Sequence, residues 1–305
     1  MCMFEAYKFL VFKRLDVADI FIRLLESYGD EQVKHGFDAD YFLYHSESIG
    51  KRRDKKADLL KRIPGFIYPH NARAYPSWDG LYDPLPVQCN FVLGRAAVES
   101  MKIYGYPYRV EAVGFPYFPI RPFAASTRSR LLFVPGRLYP GYETYRQDND
   151  NALAFILKHR ESFEKIMICR SEGQYLELES NGNLEVVTTY PRRSTQPLMD
   201  MVNRIDESDI VISLSSTAVI AAARGKGVVM YGKDLFDRKG PGVPKHIDQY
   251  RKLLLCPYQL EDMSIDEILA VRGAQSPEFE LWKRNNVGEQ FDVDKFLRVI
   301  WEYVA

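Results

Sequence analysis

At 305 residues the chain is longer than one hydrophobic core usually serves, so two domains are expected. Hydrophobic residues make up 46% and charged residues 27%, which excludes wholesale disorder. The 41 basic and 41 acidic residues cancel, which excludes a global field drawing the protein to nucleic acid or lipid head groups.

In chain order, the first half carries candidate strands at Asp40–Tyr44, Gly65–Tyr68, Cys89–Leu93 and Val110–Val113, with helices predicted over Val17–Tyr28 and Arg95–Tyr104. The first strand–helix unit is abbreviated. Next comes Phe115-Pro-Tyr-Phe-Pro-Ile-Arg-Pro122, whose prolines forbid a helix and cannot donate to a central ladder, so residues 115–129 are expected to link the domains. From Leu131 onward, short runs rich in branched residues alternate with segments of helical period, the pattern of a parallel sheet covered on both faces. Strands are predicted at Leu131–Val134, Ile166–Cys169, Leu184–Thr188, Asp209–Ser213, Val228–Tyr231 and Leu253–Leu255. Helices are predicted at Asn151–Lys165, Pro197–Ile205, Thr217–Arg224 and Ile265–Val271. Right-handed crossovers make this half a doubly wound, Rossmann-like domain. In Val293–Val304 the apolar positions Phe296, Val299, Ile300 and Tyr303 predict an amphipathic helix that packs back on the body. The expected α/β architecture is two Rossmann-like domains facing a central cleft, residues 1–120 on the acceptor side and residues 121–305, with the closing helix, on the donor side.

Val211 to Ala223, the longest uncharged apolar-leaning stretch, falls short of the ~20 residues needed to cross a bilayer. Lys8, Lys13 and Arg14 interrupt the N-terminus, so no span or secretory signal is expected and the chain reads as cytoplasmic. Cys2, Cys89, Cys169 and Cys256 lie far apart, mostly in apolar runs, and read as reduced, buried core residues. His35, His45, His70, His159 and His246 are too scattered for a local metal motif, so neither a metal nor a bound cofactor is indicated.

The most informative stretch starts at Asp209. A buried strand ends in Ser215, Ser216 and Thr217, just where an alanine-rich helix begins. One of these hydroxyls can simply cap the helix. Alternatively, hydroxyls and exposed amides together can hold a phosphate, whose charge the helix dipole favours. The following strand, with Tyr231-Gly-Lys233 at its end, points toward the ligand reading.

This order of strand, Ser215-Ser-Thr217, small-residue helix and Gly225-Lys-Gly-Val-Val-Met-Tyr-Gly232 resembles the donor-domain motif of GT-B-fold glycosyltransferases. The nearest branches are the CDP-glycerol glycerophosphotransferases and capsule-synthesis enzymes, with hydrolysing UDP-sugar epimerases further off. Phe133-Val-Pro-Gly-Arg137 resembles the opening of such a donor domain, and Val113-Gly-Phe-Pro116 resembles the close of the acceptor domain. Pro191 to Met199 precedes the motif, where such proteins contact the nucleotide, and the likeness runs from about Gly65 to Lys233. It departs in two respects: many members carry a glutamate on the helix after the phosphate loop, whereas Thr217–Arg224 has no acid, and the first N-terminal strand–helix unit is abbreviated.

The resemblance implies a nucleotide-sugar co-substrate whose bond to the diphosphate breaks as an acceptor hydroxyl attacks. Amides and hydroxyls at Ser215, Ser216 and Thr217, with a cation, would stabilise the departing charge without a metal. Arg137, Arg170 and Lys233 follow apolar strands and are the cation candidates, although each can equally be a solvated surface residue; of the adjacent Arg192 and Arg193, at most one is expected to contribute. For the base that takes the acceptor proton, His70 ends Gly65-Phe-Ile-Tyr-Pro-His70, and Asp79 lies in the loop beyond it. His45 is the alternative, with Glu47 able to orient or replace it; either imidazole can also serve only as a hydrogen-bonding loop residue.

Lys51 to Arg62 holds seven bases and two acids, a solvated face or a receptor for an anionic acceptor. A lipid-linked phosphate, a teichoic-type polymer, a membrane surface touched peripherally and a DNA backbone all fit that charge, and the expected acceptor is a polysaccharide, a lipid-linked glycan or DNA. Nearby Tyr68, Tyr75, Trp78 and Tyr82 can stack on sugars or bases, or pack a long loop. Besides a glycosyltransferase, three readings stay open: transfer to hydroxymethylated bases in DNA, nucleotide-sugar epimerisation, and nucleotide binding without catalysis.

Overall fold

The computed structural model describes residues 6–11, 18–34, 38–44, 62–68, 86–103, 105–136, 144–170, 178–188, 196–214, 216–233 and 255–304, with the side chains of 144, 145, 170, 196–198 and 216 set aside. The chain forms two compact units, Met1–Pro119 with Arg284–Ala305, and Ile120–Lys283.

Among the described residues, unit 1 has six strands: β1 (Lys8–Val11), β2 (Glu31–Gln32), β3 (Tyr41–Tyr44), β4 (Gly65–Ile67), β5 (Cys89–Val92) and β6 (Arg109–Ala112). All pair in parallel, in the order β2-β1-β3-β4-β5-β6. Helix α1 (Ala18–Ser27) follows β1 and buries Ala18, Phe21, Ile22 and Leu25, the spacing of one helical face. Helix α2 (Arg95–Ile103) joins β5 to β6. The core joins the α1 face to Phe9, Tyr41, Leu43, Phe66, Cys89 and Phe91 from the strands.

Unit 2 holds β7 (Arg130–Val134), α3 (Thr144–Lys158), β8 (Lys165–Arg170), β9 (Leu184–Thr188), α4 (Gln196–Glu207), β10 (Ile210–Ser213), α5 (Ser216–Ala223), β11 (Gly227–Val229) and α6 (Ile265–Ala270). Its five parallel strands run in the order β11-β10-β7-β8-β9. The chain therefore starts in the middle, builds outward through β8 and β9, then returns to build the other side, the doubly wound arrangement. Leu131, Phe133, Ile210, Ile212, Val229 and Tyr231 on one face pack with Ala152, Leu153 and Ile156 of α3. Helix α5 is buried on every side from Ala218 to Ala223, as its lack of any polar stripe requires. It ends at Gly225, where the N–H groups of Lys226 and Gly225 bond Ala221 and Ala222 in a left-handed turn with φ +73°. A Cβ there would also stand 2.2 Å from the Pro122 carbonyl oxygen, so only glycine fits.

The terminal helix corrects the expected domain division. Helix α7 (Pro277–Asn286) crosses the unit boundary, and α8 (Val293–Val304) belongs to unit 1 rather than to the C-terminal half. Phe296, Leu297, Val299 and Ile300 enter the unit 1 core, with the Phe296 ring 4.6 Å from that of Phe91 and 5.4 Å from that of Phe21. Polar clamps complete the contact: Lys295 reaches Glu111 at 2.8 Å and the Ala112 carbonyl at 2.9 Å, and Arg109 meets Glu302 at 2.7 Å. Residues 115–129 are not a free tether either. Phe115 is bonded to Glu289 in unit 1, while Arg121 and Ser126 donate to Ala223 and Arg272 in unit 2.

Two further expectations shift. The helix predicted over Asn151–Lys165 lies over Thr144–Lys158 and gives way to a tight turn at Arg160–Ser162. Asn183 fixes that turn by donating to the carbonyls of Arg160 and Phe163, which takes those acceptors away from a continuing helix. The strand predicted at Leu253–Leu255 lies largely outside the described residues, and the neighbouring bridge is Met230 with Gln259. Cys89, Cys169 and Cys256 are free and buried; burial pushes the thiols of Cys89 and Cys256 up to about 12 and that of Cys169 to about 11. No described helix is long and apolar enough to cross a membrane.

Candidate functional site

In a parallel doubly wound sheet, every strand delivers its carboxyl end to one edge, and a crevice opens there where the strand order reverses. In unit 2 that reversal lies between β7 and β10. Three chain segments leave the edge around it: Pro135-Gly136 after β7, Leu214 leading into α5 after β10, and Tyr231-Gly-Lys233 after β11. They meet on Leu214. A Cβ on Gly136 would stand 2.8 Å from Leu214 Cδ2, and one on Gly232 would stand 2.8 Å from Leu214 Cδ1. Gly232 also has φ +74°, a left-handed conformation that side chains disfavour.

Beneath this surface lies a buried polar clasp. The Gly136 N–H donates to the Tyr231 hydroxyl at 2.8 Å and to Asn149 Oδ1 at 2.9 Å. Asn149 Nδ2 returns a bond to the Gly136 carbonyl at 2.7 Å, and the Tyr231 hydroxyl donates to Asn149 Oδ1 at 2.6 Å. Asn149 is 0% and Tyr231 2% exposed. Buried Asp148, next to Asn149 on α3, places Oδ2 3.4 Å from the position of a Cβ on Gly232.

The sequence candidates distribute as follows. Helix α5 begins at Ser216 directly after this crevice, and Thr217 in its first turn is 8% exposed. Arg170 is the last residue of β8, paired with Thr188, one strand beyond β7. Lys233 lies at the same edge, but its ammonium is paired with Asp262, and the neighbouring Gly232 N–H donates to Glu261. These acids come from the turn Leu260–Asp262, which the Met230–Gln259 bridge holds beside β11. Ser215, Arg137, His45, His70 and Asp79 lie outside the described residues, as do Arg192 and Arg193. In unit 1, β3 ends at Tyr44, the residue before His45, and Tyr68, which follows β4, is the last described residue before His70. Of the basic run, Arg62 alone is described, and it is exposed.

Asn149 is the residue that motif reading misses, whereas Tyr231, Gly136 and Gly232 lie inside the quoted motifs without a role assigned to their side chains or backbone. A signal for Asn149 exists in Asp148-Asn-Asp-Asn151, four poor helix formers in succession inside a helix. Tyr231 is visible as the last residue of an apolar strand and as a motif position, but nothing in sequence points to its bond with Asn149.

The opposite, amino-terminal edge of unit 2 holds a contrasting set of charges. Arg130 grips Asp209 through Nε at 2.9 Å and Nη2 at 3.1 Å. Burial raises the Asp209 carboxyl, but the Arg130 bonds outweigh it and hold the group below the usual range. Asp206 is lowered in the same way by Arg224, whose Nε lies 2.9 Å from it. Lys226 donates to the carbonyls of Asp206 and Ser208 at 2.8 Å each, and burial lowers its ammonium. These charges are satisfied among themselves and brace the sheet; the opposite edge offers the start of α5.

No family model matches the chain, and no curated protein matches it significantly in sequence. Solved structures do match in shape. A provisionally assigned UDP-N-acetylglucosamine 2-epimerase from Listeria monocytogenes aligns with 96% of this chain and 95% of its own at 13% identity and a TM-score of 0.57. The UDP-GlcNAc 2-epimerase of Methanocaldococcus jannaschii, solved with UDP-GlcNAc and UDP, covers 97% of this chain and 99% of its own at 10% identity and 0.54. The wall teichoic acid polymerase TagF covers 97% and 88% at 10% identity and 0.54. Likeness at this level establishes the fold: two parallel-sheet α/β units of the GT-B type.

Proposed function

We propose that the chain binds a nucleoside-diphosphate sugar, or a polyol activated in the same way, at the β7/β10 crevice and transfers the activated group to an acceptor hydroxyl. The observation that carries this reading is the meeting of two glycine-bearing loops and the α5 start on Leu214, at the strand-order reversal of a GT-B-type unit. Amides at a helix start favour a diphosphate, and glycines let backbone approach it closely.

In this reading the donor's bond to the diphosphate breaks as the acceptor oxygen bonds to the transferred group. The leaving diphosphate takes the electron pair and is held by the α5 start, with Ser215, Ser216 and Thr217. Arg137, Arg170 and Lys233 are the proposed cations; Lys233 must exchange Asp262 for phosphate to serve. His70 is the proposed base for the acceptor proton, with His45 and Asp79 as the other candidates. The reaction as drawn needs no metal, so activity should persist in chelator; loss restored by Mg²⁺ would contradict it. The basic run at Lys51 to Arg62 is the proposed receptor for an anionic acceptor, a polysaccharide or a lipid-linked glycan. Salt-sensitive binding to DNA would instead favour the base-modifying variant.

Epimerisation of the nucleotide sugar is the second reading, favoured by the near-complete overlap with epimerase structures. NMR of UDP-GlcNAc incubated with the protein alone separates the two. A 2-epimer without acceptor makes the protein an epimerase; consumption only with acceptor makes it a transferase. Binding without turnover across an acceptor panel leaves a nucleotide-binding protein. The site assignment has its own test: Ser216→Ala with Thr217→Ala should weaken nucleoside diphosphate binding about tenfold by calorimetry. Unchanged affinity would remove it.

A further inference from the structure

The clasp of Asn149, Tyr231 and Gly136 draws on three elements that are not neighbours in the chain. Asn149 comes from α3, Tyr231 from the segment after β11, and Gly136 from the loop after β7. In the sheet, β10 lies between β11 and β7. Through its hydroxyl, Tyr231 therefore joins the β11 side of β10 to the Gly136 amide on the β7 side. Its ring is seated on Phe133, centroids 5.7 Å apart, so the hydroxyl is aimed by packing.

Both backbone groups of Gly136 are taken, the N–H by two acceptors and the carbonyl by Asn149 Nδ2. Fixing both fixes the two peptide planes that meet at this residue, and with them the direction in which the loop leaves β7. A loop at a sheet edge can satisfy such groups with water. Here a fully buried amide and phenol do so instead, and they tie the loops on both sides of the α5 start to one point.

We propose that Asn149 and Tyr231 are positioning residues for the diphosphate site, holding the loop after β7 in register with the α5 start. The inference rests on the site reading above, and its role is indirect: neither side chain need touch the ligand. A binding site held this way loses affinity when its support loosens, even though the fold remains.

Tyr231→Phe tests it, because the ring and its packing stay while one hydroxyl goes. UDP, CDP, GDP, ADP and TDP are titrated by calorimetry into wild type and variant, well below the ligand-free melting midpoint of each, which is measured alongside. Wild type should bind at least one of these, and Tyr231→Phe should bind the same one about tenfold more weakly, with a ligand-free midpoint close to wild type. Asn149→Ala, which removes the Gly136 carbonyl's donor and one of the two acceptors of its N–H, should weaken binding further wherever it folds. A purely structural part would lower the midpoint and leave the affinity of the folded protein unchanged; that result overturns the inference alone. Failure of wild type to bind any of the five overturns the site reading and the inference together.

Discussion

At the scale of single residues, the two edges of unit 2 differ in what they do with charge and backbone. Arg130 and Asp209 form a two-bond pair in which Asp209 is 5% exposed by side chain and Arg130 26%. Removing the guanidinium by Arg130→Ala leaves a buried carboxylate without its counter-charge, which should cost about 3 kcal/mol in urea unfolding. The pH dependence follows from the same groups. Asp206 and Asp209 have folded values lowered below their ordinary range, so their stabilisation is fully present above about pH 4 and is lost as pH falls through the lowered values. Melting midpoints measured from pH 7 down to pH 2 should fall in that acid window, and Arg130→Ala should flatten part of the fall. At the other edge, Gly232→Ala forces a side chain into a left-handed conformation and toward Leu214, so it should lower the melting midpoint and weaken diphosphate binding together. The Ser215-Ser-Thr217 corner is legible in sequence because a hydroxyl cluster between strand and helix breaks both periods. The clasp is not, since its members are 82 residues apart and an asparagine in a helix gives no hint of the distant phenol it meets.

At the scale of elements, periodicity recovers what hydrophobic burial dictates and misses what pairing alone makes. The α1 and α8 spans agree with the sequence because their apolar stripes are regular. The strands β1 and β2 escape notice for the opposite reason. Glu31–Gln32 is two polar residues in parallel register with Lys8 and Phe9, with the Glu31 N–H donating to the Tyr7 carbonyl, and in Lys8–Val11 the one buried residue is Phe9. The end of α3 is misplaced because Asn183, 20 residues after Phe163, sets where the turn closes. Helix α8 makes a direct prediction. Phe296 lies between Phe21, Phe91 and Phe291, so Phe296→Ala opens a cavity in a shared aromatic core and should cost about 3–5 kcal/mol. Glu302→Ala, which breaks one partly exposed bond to Arg109, should cost well under about 1 kcal/mol. Equal losses from the two changes would mean that the charges, not the packing, hold the helix.

At the scale of the whole molecule, the chain leaves unit 1 at Pro119 and completes it only after Arg284, while unit 2 is continuous from Ile120 to Lys283. Sequence order alone places the closing helix with the half it follows; only the exposed aromatic surface of the first sheet requires it to return. The two units should therefore respond differently to truncation. A chain ending at Asn286 keeps all of unit 2 but removes Phe296, Leu297, Val299 and Ile300 from the unit 1 core. Burying such a side chain is worth about 1.5–3 kcal/mol, so losing four is comparable with the whole margin of roughly 5–15 kcal/mol by which a domain is stable. Residues 120–286 alone should fold cooperatively, and under the proposed site assignment they should bind the same nucleoside diphosphate as the full chain. Residues 1–119 alone should show no cooperative melting transition. Amide exchange on the chain truncated at Asn286 reads both halves at once: protection should persist in Leu131–Val134 and Ile210–Ser213 and vanish in Tyr41–Tyr44 and Cys89–Val92. Protection retained in the first sheet would show that unit 1 is complete without its last helix.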